Sequence, residues 1–323
     1  MSEPFRWGIL GAAKFAHEFM GRAIHAAEHN VLAALATSSR DKAAPFQAFA
    51  PDITVYDDYD VLLADPTIDA VYVPLPNHLH VEWTIRALKA GKHVLTEKPI
   101  AMHEAEFDDL IRARDAAGKL AAEAYMIVHH PQWIRAKEIY ESGEIGALRH
   151  VTASFTYDNR TDTENIRNRP ETGGGGLRDI GVYTFGSARF VSGQEADHLT
   201  AKIEYENGVD TFALVNAQFP DFTYSGFTSI RMANRQEVVF HGEKGMMRLG
   251  GPFNANVFDV ASIELELPNL ARRVERFPSQ NHYVLQVENF RAAAVSGSGY
   301  PCPLEFSRGT QRMIDMAFAA GDA

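Results

Sequence analysis

The chain has 323 residues, with 31 lysine and arginine residues against 42 aspartate and glutamate residues and a formal net charge of −11 at pH 7. This acidic balance argues against a protein that binds nucleic acid or an anionic membrane. The single cysteine, Cys302, excludes an intrachain disulfide. No stretch has the roughly 18 apolar residues of a membrane helix, and no signal peptide is recognisable. We therefore expect a cytoplasmic protein.

Short apolar strands alternate with helical patterns in the first third of the chain. The predicted strands are residues 5–10, 31–37, 70–74, 93–96 and 120–124, and the predicted helices are residues 14–28, 79–90 and 104–117. The last two helices end before Gly91 and Gly118, and glycine is common just after a helix. Alternation of this kind predicts an α/β fold with a doubly wound parallel sheet of the Rossmann type.

The pattern changes after residue 122. Strands are predicted at residues 148–157, 199–205, 210–219, 223–232, 237–241, 245–249 and 262–267, with helices at 133–142, 177–190, 283–294 and 305–319. We predict a dinucleotide-binding Rossmann domain at residues 1–122. Residues 123–323 are predicted to form an α+β domain for substrate binding and oligomerisation, with a large, mainly antiparallel sheet. Whether the C-terminal helix packs back on the first domain stays open.

A dinucleotide-binding fingerprint follows the first predicted strand. Gly11 makes the tight turn, Ala12 and Ala13 allow the backbone to approach a pyrophosphate, and the helix opens with Lys14 and Phe15. The N–H groups at such a helix N-terminus suit phosphate oxygens. An ordinary strand-to-helix turn is the alternative, but the place at the first strand of an alternating pattern favours cofactor binding by these five residues.

The end of the second strand indicates which dinucleotide is bound. An enzyme that uses NAD usually has an acidic residue there, whereas this chain has Ser38, Ser39 and Arg40 before Asp41. Hydroxyl groups and a guanidinium suit a 2′-phosphate. We predict NADP(H) as the preferred cofactor and NAD(H) as the alternative; a solvated surface position is the competing interpretation of Arg40.

Polar residues also follow the third and fourth strands, where ligands of open α/β sheets bind. On this ground we predict that Pro76, Asn77, His80, Glu97 and Lys98 contact the cofactor. The histidine pairs at residues 78/80 and 129/130 have no cysteine or carboxylate partners at ligand spacing. We therefore predict no metal site, and the role of His129 and His130 stays open.

Three segments resemble the glucose-fructose oxidoreductase and inositol dehydrogenase family, often called Gfo/Idh/MocA. They are residues 6–13, the Thr-Glu-Lys-Pro of residues 96–99, and the Gly-Gly-Gly-Leu-Arg-Asp-Ile-Gly-Val-Tyr of residues 174–183. With Tyr183, the chain resembles the branch of the family that contains dihydrodiol and xylose dehydrogenases. Inositol dehydrogenase-like members have histidine at the corresponding position.

The resemblance implies roles for individual residues. It implies that Lys98 is catalytic, that the Lys98–Pro99 peptide is cis, and that Asp179 and Tyr183 face the nicotinamide. It also implies dimers or tetramers that assemble through the exposed face of the C-terminal sheet.

The residues themselves suit this chemistry. Lys98 can polarise an alcohol or carbonyl oxygen, and Tyr183 can exchange a proton with it as a general acid or base. Asp179 lies four residues before Tyr183, so both project from one face if the segment is helical. We predict that Lys98, Asp179 and Tyr183 also bind substrate, together with Tyr157 and with Arg169 of the polar, glycine-rich loop at residues 158–176. A solvated loop is the alternative for the arginine.

These features predict an NAD(P)-dependent dehydrogenase or reductase that acts on the CH–OH groups of a sugar, cyclitol or related polyol. Lys98 and Tyr183 are expected to meet over the nicotinamide ring. Oxidation of a trans-dihydrodiol is an alternative, favoured by Tyr183 and by the aromatic residues Phe155 and Tyr157. A dinucleotide-sensing regulator without turnover is a second alternative, although a sensor has no need of the three catalytic candidates.

Overall fold

The structure is a computed structural model that describes residues 3–321, so the terminal residues 1–2 and 322–323 of the two predicted domains lie outside it. It divides into two compact units. The first ends at Met126 and also includes His282–Ser307, and the second contains Ile127–Asn281 and resumes at Arg308. The predicted division after residue 122 differs from this arrangement chiefly in the segment at 282–307.

The first unit contains a six-stranded sheet in which all strands are parallel. Its strands are β1 (Phe5–Leu10), β2 (Asn30–Ala36), β3 (Thr54–Tyr56), β4 (Ala70–Val73), β5 (His93–Thr96) and β6 (Ala121–Glu123), in the spatial order β3-β2-β1-β4-β5-β6. This is the strand order of a Rossmann fold, and the order reverses between β1 and β4. The predicted fold class of the first domain is confirmed.

Six helices accompany this sheet. They are α1 (Gly21–Ala26), α2 (Ala44–Gln47), α3 (Tyr59–Ala64), α4 (His80–Lys89), α5 (Phe107–Ala117) and, from the C-terminal part of the chain, α8 (His282–Ser296). A single π-helical turn, Ala16–Met20, precedes α1. Helices α2 and α3 were not predicted. Helix α3 starts after Asp58, whose carboxylate accepts hydrogen bonds from the backbone N–H groups of Asp60 and Val61.

Aromatic packing explains why α8 belongs to the first unit. The ring of Phe290 lies 5.1 Å from that of the fully buried Trp7, and the ring of Tyr283 lies 5.7 Å from that of Phe15. Burial of rings of this size contributes strongly to folding. A division of the sequence at one point could not include these contacts, because more than 260 residues separate the partners.

The second unit contains an eight-stranded sheet. Its strands are β7 (Leu148–Asp158), β8 (His198–Glu206), β9 (Val209–Gln218), β10 (Thr223–Ser229), β11 (Arg231–Gly242), β12 (Met246–Gly250), β13 (Ser262–Leu267) and β14 (Ala271–Arg276). Their spatial order is β14-β13-β12-β11-β7-β10-β9-β8, and only the β7–β10 pair is parallel. The predicted mainly antiparallel sheet is confirmed.

One segment of this sheet that was predicted as a single strand belongs to two strands in the structure. The prediction at residues 223–232 was wrong at Ile230, where the chain leaves β10 on one side of β7 and continues as β11 on the other side. Ile230 is fully buried, and its N–H donates to the carbonyl of Thr211 at 3.0 Å. No glycine or proline marks this reversal, so the sequence has no local turn signal there.

Helices α6 (Pro131–Glu141) and α7 (Val182–Ser192) belong to the second unit, and α9 (Leu304–Gly321) ends in it. A π-helical turn, Leu177–Gly181, leads into α7, most of whose residues are buried. Single π-helical turns are frequent at functional sites. Within the described chain, none of the helices has both the length and the apolar composition that crossing a membrane requires.

Candidate active site

The turn after β1 requires glycine at its first position. Gly11 has φ of +100°, and its N–H donates to the carbonyl of Ala36 at 2.9 Å. A Cβ atom there would lie 2.9 Å from Cδ2 of Leu75, which is too close. Ala12 and Ala13 follow and are half-buried. The predicted fingerprint therefore forms a tight, closely packed turn at the point where the strand order reverses.

The next two fingerprint residues have different surroundings. Lys14 is exposed and lies 3.8 Å from the carboxylate of Glu18. The ring of Phe15 lies 5.1 Å from that of Phe19, in addition to its contact with Tyr283. Packing therefore accounts for Phe15, whereas the ammonium of Lys14 is accessible to a ligand.

The residues expected to select the dinucleotide follow β2. Ser38 and Arg40 are exposed and Ser39 is half-buried. The Ser39 N–H donates to the hydroxyl of Thr37 at 3.3 Å, and a short 3-10 turn begins at Arg40. This arrangement leaves the Arg40 side chain at the surface beside the end of β2, where a 2′-phosphate can be bound.

Lys98 lies in a segment at residues 97–100, called here the Lys98 segment, which directly follows β5. The Lys98–Pro99 peptide is cis, as the resemblance implies. The carboxylate of Glu97 accepts hydrogen bonds from the phenol of Tyr72 at 2.5 Å and from the Lys98 N–H at 3.2 Å. The side chain of Glu97 therefore holds the backbone on the N-terminal side of the candidate catalytic amine.

Two buried side chains hold the other end of this segment. The carboxylate of Glu123 accepts the N–H of Ile100 at 2.9 Å. The ring of His80 places Nδ1 2.7 Å from the carbonyl oxygen of Pro99 and Nε2 2.6 Å from that of Leu75. Burial raises the pKa of Glu123 and lowers the pKa of His80 to about 4.

The structure gives His80 a role different from the predicted cofactor contact. Its ring is fully buried, and both ring nitrogens lie against backbone carbonyl groups. His80 connects the loop after β4 with the Lys98 segment after β5. The spacing of residues 76–80 could not distinguish this internal contact from a contact with a ligand. Pro76 and Asn77 are half-buried at the same edge of the sheet.

In the second unit, two side chains converge on one carboxylate oxygen of a third. Oδ2 of Asp179 lies 2.6 Å from the phenol oxygen of Tyr157 and 2.8 Å from Nε of Arg167. Burial, followed by the charge of Asp179, raises the pKa of Tyr157 well above its usual value, so this phenol donates. We call Asp179, Tyr157 and Arg167 the Asp179 cluster.

The cluster contains a loop arginine other than the one predicted to bind substrate. Arg169 was predicted to bind substrate, but its guanidinium lies 2.7 Å from the carboxylate of Glu171 and is 44% exposed. Arg167, two residues earlier, is the arginine that contacts Asp179. The sequence shows both arginines in one polar loop and has no signal that separates them.

Tyr183 lies among aromatic rings. Its ring centroid is 5.7 Å from those of Phe155 and Phe253, which stack on each other at 5.1 Å. Trp133 stacks on Phe253 at 6.2 Å. Tyr183 is only 6% exposed, so its hydroxyl is held on a rigid apolar support. Phe155 was named as a candidate from the sequence, but Phe253 was not, because it lies in a loop far along the chain.

The glycine-rich run before α7 is explained by a buried carboxylate. Oδ2 of Asp210 accepts the N–H of Leu177 at 2.6 Å, and a Cβ atom on Gly175 would lie 1.9 Å from Oδ1 of Asp210. Asp210 thus fills the N-terminal end of the helical segment that holds Asp179 and Tyr183. Burial raises the pKa of Asp210 to about 7, against the opposing effect of the N–H groups.

His129 and His130 are buried in the second unit. Burial lowers the pKa of His129 to about 3 and that of His130 to about 4. Nδ1 of His130 accepts the N–H of Gln132 and thereby caps α6. Throughout residues 3–321, no three histidine, cysteine or acidic side chains are arranged to hold a metal ion.

A cavity of about 390 Å³ lies elsewhere in the second unit. It is lined by Tyr140, Glu141, Gly146, Ala147, Leu148, Arg149 and Asp221. None of the candidate catalytic residues contributes to it, so we do not associate it with the chemistry.

Comparison with known proteins identifies both parts of the chain. Residues 5–125 match the model of an oxidoreductase family with an NAD-binding Rossmann fold, and residues 133–248 match the GFO/IDH/MocA C-terminal domain. An uncharacterised oxidoreductase of Rhizobium meliloti is 38% identical over 320 residues, which cover 96% of this chain and 95% of that protein.

Two further proteins are similar along their whole length. An NADP(+) D-xylose 1-dehydrogenase of Haloferax volcanii is 31% identical, with 98% of this chain and 97% of that protein covered. A 3-ketoreductase from Actinomadura kijaniata, solved with NADP and TDP-benzene, has a TM-score of 0.89 and 27% identity, with 98% of each chain covered. The chain therefore belongs to the Gfo/Idh/MocA family of oxidoreductases.

Proposed function

We propose that this protein is an NADP(H)-preferring dehydrogenase or reductase that acts on a sugar, cyclitol or related polyol. The observation that carries the proposal is the position of Lys98 at the carboxyl end of β5, in a segment held by Glu97, His80 and Glu123. In open α/β sheets, ligands bind outside the carboxyl ends of the strands. The similar xylose dehydrogenase and 3-ketoreductase support sugar chemistry.

The residues of the first unit fit a dinucleotide. Gly11 and the half-buried Ala12 and Ala13 leave the backbone without large side chains at the start of a helix, as a pyrophosphate requires. Arg40 and Ser38 are exposed after β2 and suit a 2′-phosphate. We propose that these residues hold NADP(H), which when bound supplies or accepts the hydride.

The remaining residues would orient the substrate and move a proton. In alcohol oxidation, Tyr183 takes the proton of the reacting hydroxyl, and in reduction it returns a proton to the carbonyl oxygen. Lys98 donates a hydrogen bond to the same oxygen and stabilises its negative charge. Asp179 accepts a hydrogen bond from a neighbouring substrate hydroxyl. Vicinal hydroxyl groups of a polyol supply both partners.

The experiment is a substrate panel. Purified protein is mixed with NADP(+) and aldoses, cyclitols or diols, or with NADPH and the corresponding carbonyl compounds, and the absorbance of the reduced nicotinamide is followed. Turnover with at least one polyol, faster with NADP(H) than with NAD(H), is the expected result. Tight binding of NADPH without turnover of any compound would contradict the proposal and favour the dinucleotide-sensing alternative.

The aromatic surroundings of Tyr183 favour a second candidate. Phe155 and Phe253 are buried against its ring and make its surroundings apolar, which suits an unsaturated carbocycle better than a sugar. A trans-dihydrodiol therefore belongs in the panel. A higher kcat/KM for the dihydrodiol than for every sugar would favour the second candidate.

We also propose that copies of the chain assemble through the exposed face of the β7–β14 sheet. Val274 of β14 pairs with Glu264, on the face opposite the buried Ile263 and Leu265, and is 51% exposed, which supports an interface there. Light scattering on the eluting protein should give the mass of a dimer or tetramer. The mass of a monomer at all concentrations would contradict the proposed assembly.

A further inference from the structure

Arg167 contacts the carboxylate of Asp179 although it belongs to a long polar loop. Its Nε lies 2.8 Å from Oδ2 of Asp179, and the two side chains are 36% and 10% exposed. The same oxygen lies 2.6 Å from the hydroxyl of Tyr157. A guanidinium and a phenol that both donate to one oxygen favour the ionised form of this carboxyl group.

The loop holds Arg167 by backbone contacts that need glycine. The N–H of Gly175 donates to the carbonyl of Arg167 at 2.9 Å. A Cβ atom on Gly174 would lie 2.6 Å from that carbonyl oxygen, so another residue there would displace Arg167. The glycine-rich run therefore brings the Arg167 backbone against the start of the helical segment that contains Asp179.

Neighbouring side chains fix the rest of the loop. Nδ2 of Asn168 donates to the carbonyls of Asp162 at 2.8 Å and Asn159 at 3.1 Å. Nη2 of Arg231, from β11, donates to Oδ1 of Asn168 at 3.0 Å. Arg167 thus projects from a loop with defined geometry, so its contact with Asp179 requires the ordering of the side chain but not of the backbone.

The charges around this carboxylate come from several elements. Arg167 of the loop interacts electrostatically with Tyr157 of β7 and Tyr183 of α7, and the charge of Arg231 of β11 acts on Tyr157. The negative charge of Asp179 raises the pKa of Arg167 above its usual value, and Tyr157 and Tyr183 add to this effect. The guanidinium of Arg167 is the positive charge in direct contact with the Asp179 carboxylate.

We infer that Arg167 is a positioning residue that keeps Asp179 ionised and oriented. This inference rests on the proposed function, in which Asp179 accepts a hydrogen bond from a substrate hydroxyl. Without the guanidinium, Asp179 loses a stabilising positive charge and holds its proton to a higher pH.

The test compares Arg167→Gln, Arg167→Lys and the matched control Arg160→Gln. Arg160 lies in the same loop and pairs with Asp158 at 2.9 Å, but it is 57% exposed and does not contact the Asp179 cluster. The readout is the pH dependence of kcat/KM for alcohol oxidation. Arg167→Gln should shift the rising limb of this pH profile to higher pH by about one unit or more. Activity that is lost at the lower pH should then be regained at the higher pH.

The variants separate charge from structure. Arg167→Lys retains a positive charge and should restore most of the wild-type pH dependence, and Arg160→Gln should keep all of it. A uniform loss of activity at every pH in Arg167→Gln, with no displaced limb, would overturn the inference. An equal shift of the pH profile in Arg160→Gln would also overturn the inference, because the effect would then come from the loop as a whole.

A second measurement does not depend on turnover. Aspartate labelled with ¹³C at the carboxyl group is titrated by NMR in the full chain, and the Asp179 signal is assigned by its loss in Asp179→Asn. The apparent pKa of Asp179 should be higher in Arg167→Gln than in the wild type by about one unit or more. An unchanged pKa of Asp179 in Arg167→Gln would overturn the inference even if the enzyme is active. A raised pKa of Asp179 without turnover of any polyol would support the role of Arg167 and contradict the proposed function.

Discussion

The two regions that contain the catalytic candidates are held in opposite ways. In the first unit, side chains hold the backbone on either side of Lys98, through the Lys98 N–H, the Pro99 carbonyl and the Ile100 N–H. In the second unit, side chains bind the reacting carboxylate itself, because Tyr157 and Arg167 contact Asp179 directly.

The difference follows from the chemistry expected of each group. A lysine that polarises an oxygen needs an accessible ammonium at a fixed position, so its support acts through the main chain. A carboxylate that orients a hydroxyl needs a defined charge state, so its support acts through donors on its oxygen. We therefore expect substitutions around Lys98 to change geometry and rate, and substitutions around Asp179 to change the pH dependence.

The largest effect should come from the catalytic candidates themselves. Lys98→Met and Tyr183→Phe should each lower kcat by roughly 100-fold or more, the usual contribution of an acid–base or electrostatic group. If the two act on one oxygen, the double variant should be little worse than either single variant. Lys89→Met, at the exposed end of α4, is the control. Near wild-type turnover in Lys98→Met would remove this residue from the mechanism.

The next effect concerns His80. His80→Leu removes the one N–H that the neutral ring can donate to the carbonyl of Leu75 or Pro99, which should cost about 1–3 kcal/mol in the free energy of unfolding. Displacement of Lys98 should lower kcat by roughly 10- to 100-fold. His80→Gln retains a hydrogen-bond donor, so its losses in the free energy of unfolding and in kcat should be smaller.

The matched control for His80 is His78→Leu, two residues away and exposed. Urea unfolding and steady-state kinetics measure the two quantities for each variant. If His80→Leu lost stability but kept the wild-type kcat, His80 would support the fold without positioning Lys98, and the contrast between the two regions would be lost.

A smaller effect is expected for cofactor selection. Arg40→Asp introduces a carboxylate that suits a ribose 2′-hydroxyl and repels a 2′-phosphate. The ratio of kcat/KM for NADPH to that for NADH should fall by roughly tenfold or more, since loss of one charged hydrogen bond is worth more than about 1.4 kcal/mol. An unchanged ratio would mean that Arg40 does not contact the 2′-phosphate.

The two regions should also differ in how pH affects their stability. The folded pKa of His80, about 4, lies below the ordinary value of 6.5. The unfolded chain therefore binds more protons in that range, and stability is lost as the pH falls from about 6.5 towards 4. The folded pKa of Asp210, about 7, lies above the ordinary value of 3.8, so stability is lost as the pH rises through this range.

Difference measurements test these opposite signs. Between about pH 4 and pH 7, the stability of His80→Gln relative to the wild type should fall as pH rises, and that of Asp210→Asn should rise. Each slope should be at most about 1.4 kcal/mol per pH unit. Urea unfolding at several pH values measures both, and slopes of the same sign would contradict the assignment for one of the two groups.

Local patterns in the sequence determined much of this protein. Alternation of apolar strands and helices predicted the parallel sheet, and the residues that follow each strand placed Gly11, Arg40 and Lys98 at its carboxyl edge. The helix predicted at residues 177–190 contains Asp179 and Tyr183, and within such a helix their four-residue spacing predicted a shared face. These features depend on neighbours within one or two turns, which a sequence shows directly.

Only the tertiary structure decided which side chains support the candidate residues. Arg167 and Arg169 are equivalent in the sequence, and the glycine run contacts the backbone carbonyls of both, but of the two it is Arg167 whose side chain contacts Asp179. His80 contacts the carbonyl of a residue 19 positions away, and Asp210 contacts the N–H of one 33 positions away. Contacts at such separations depend on how the elements pack, and neither periodicity nor local spacing specifies that packing.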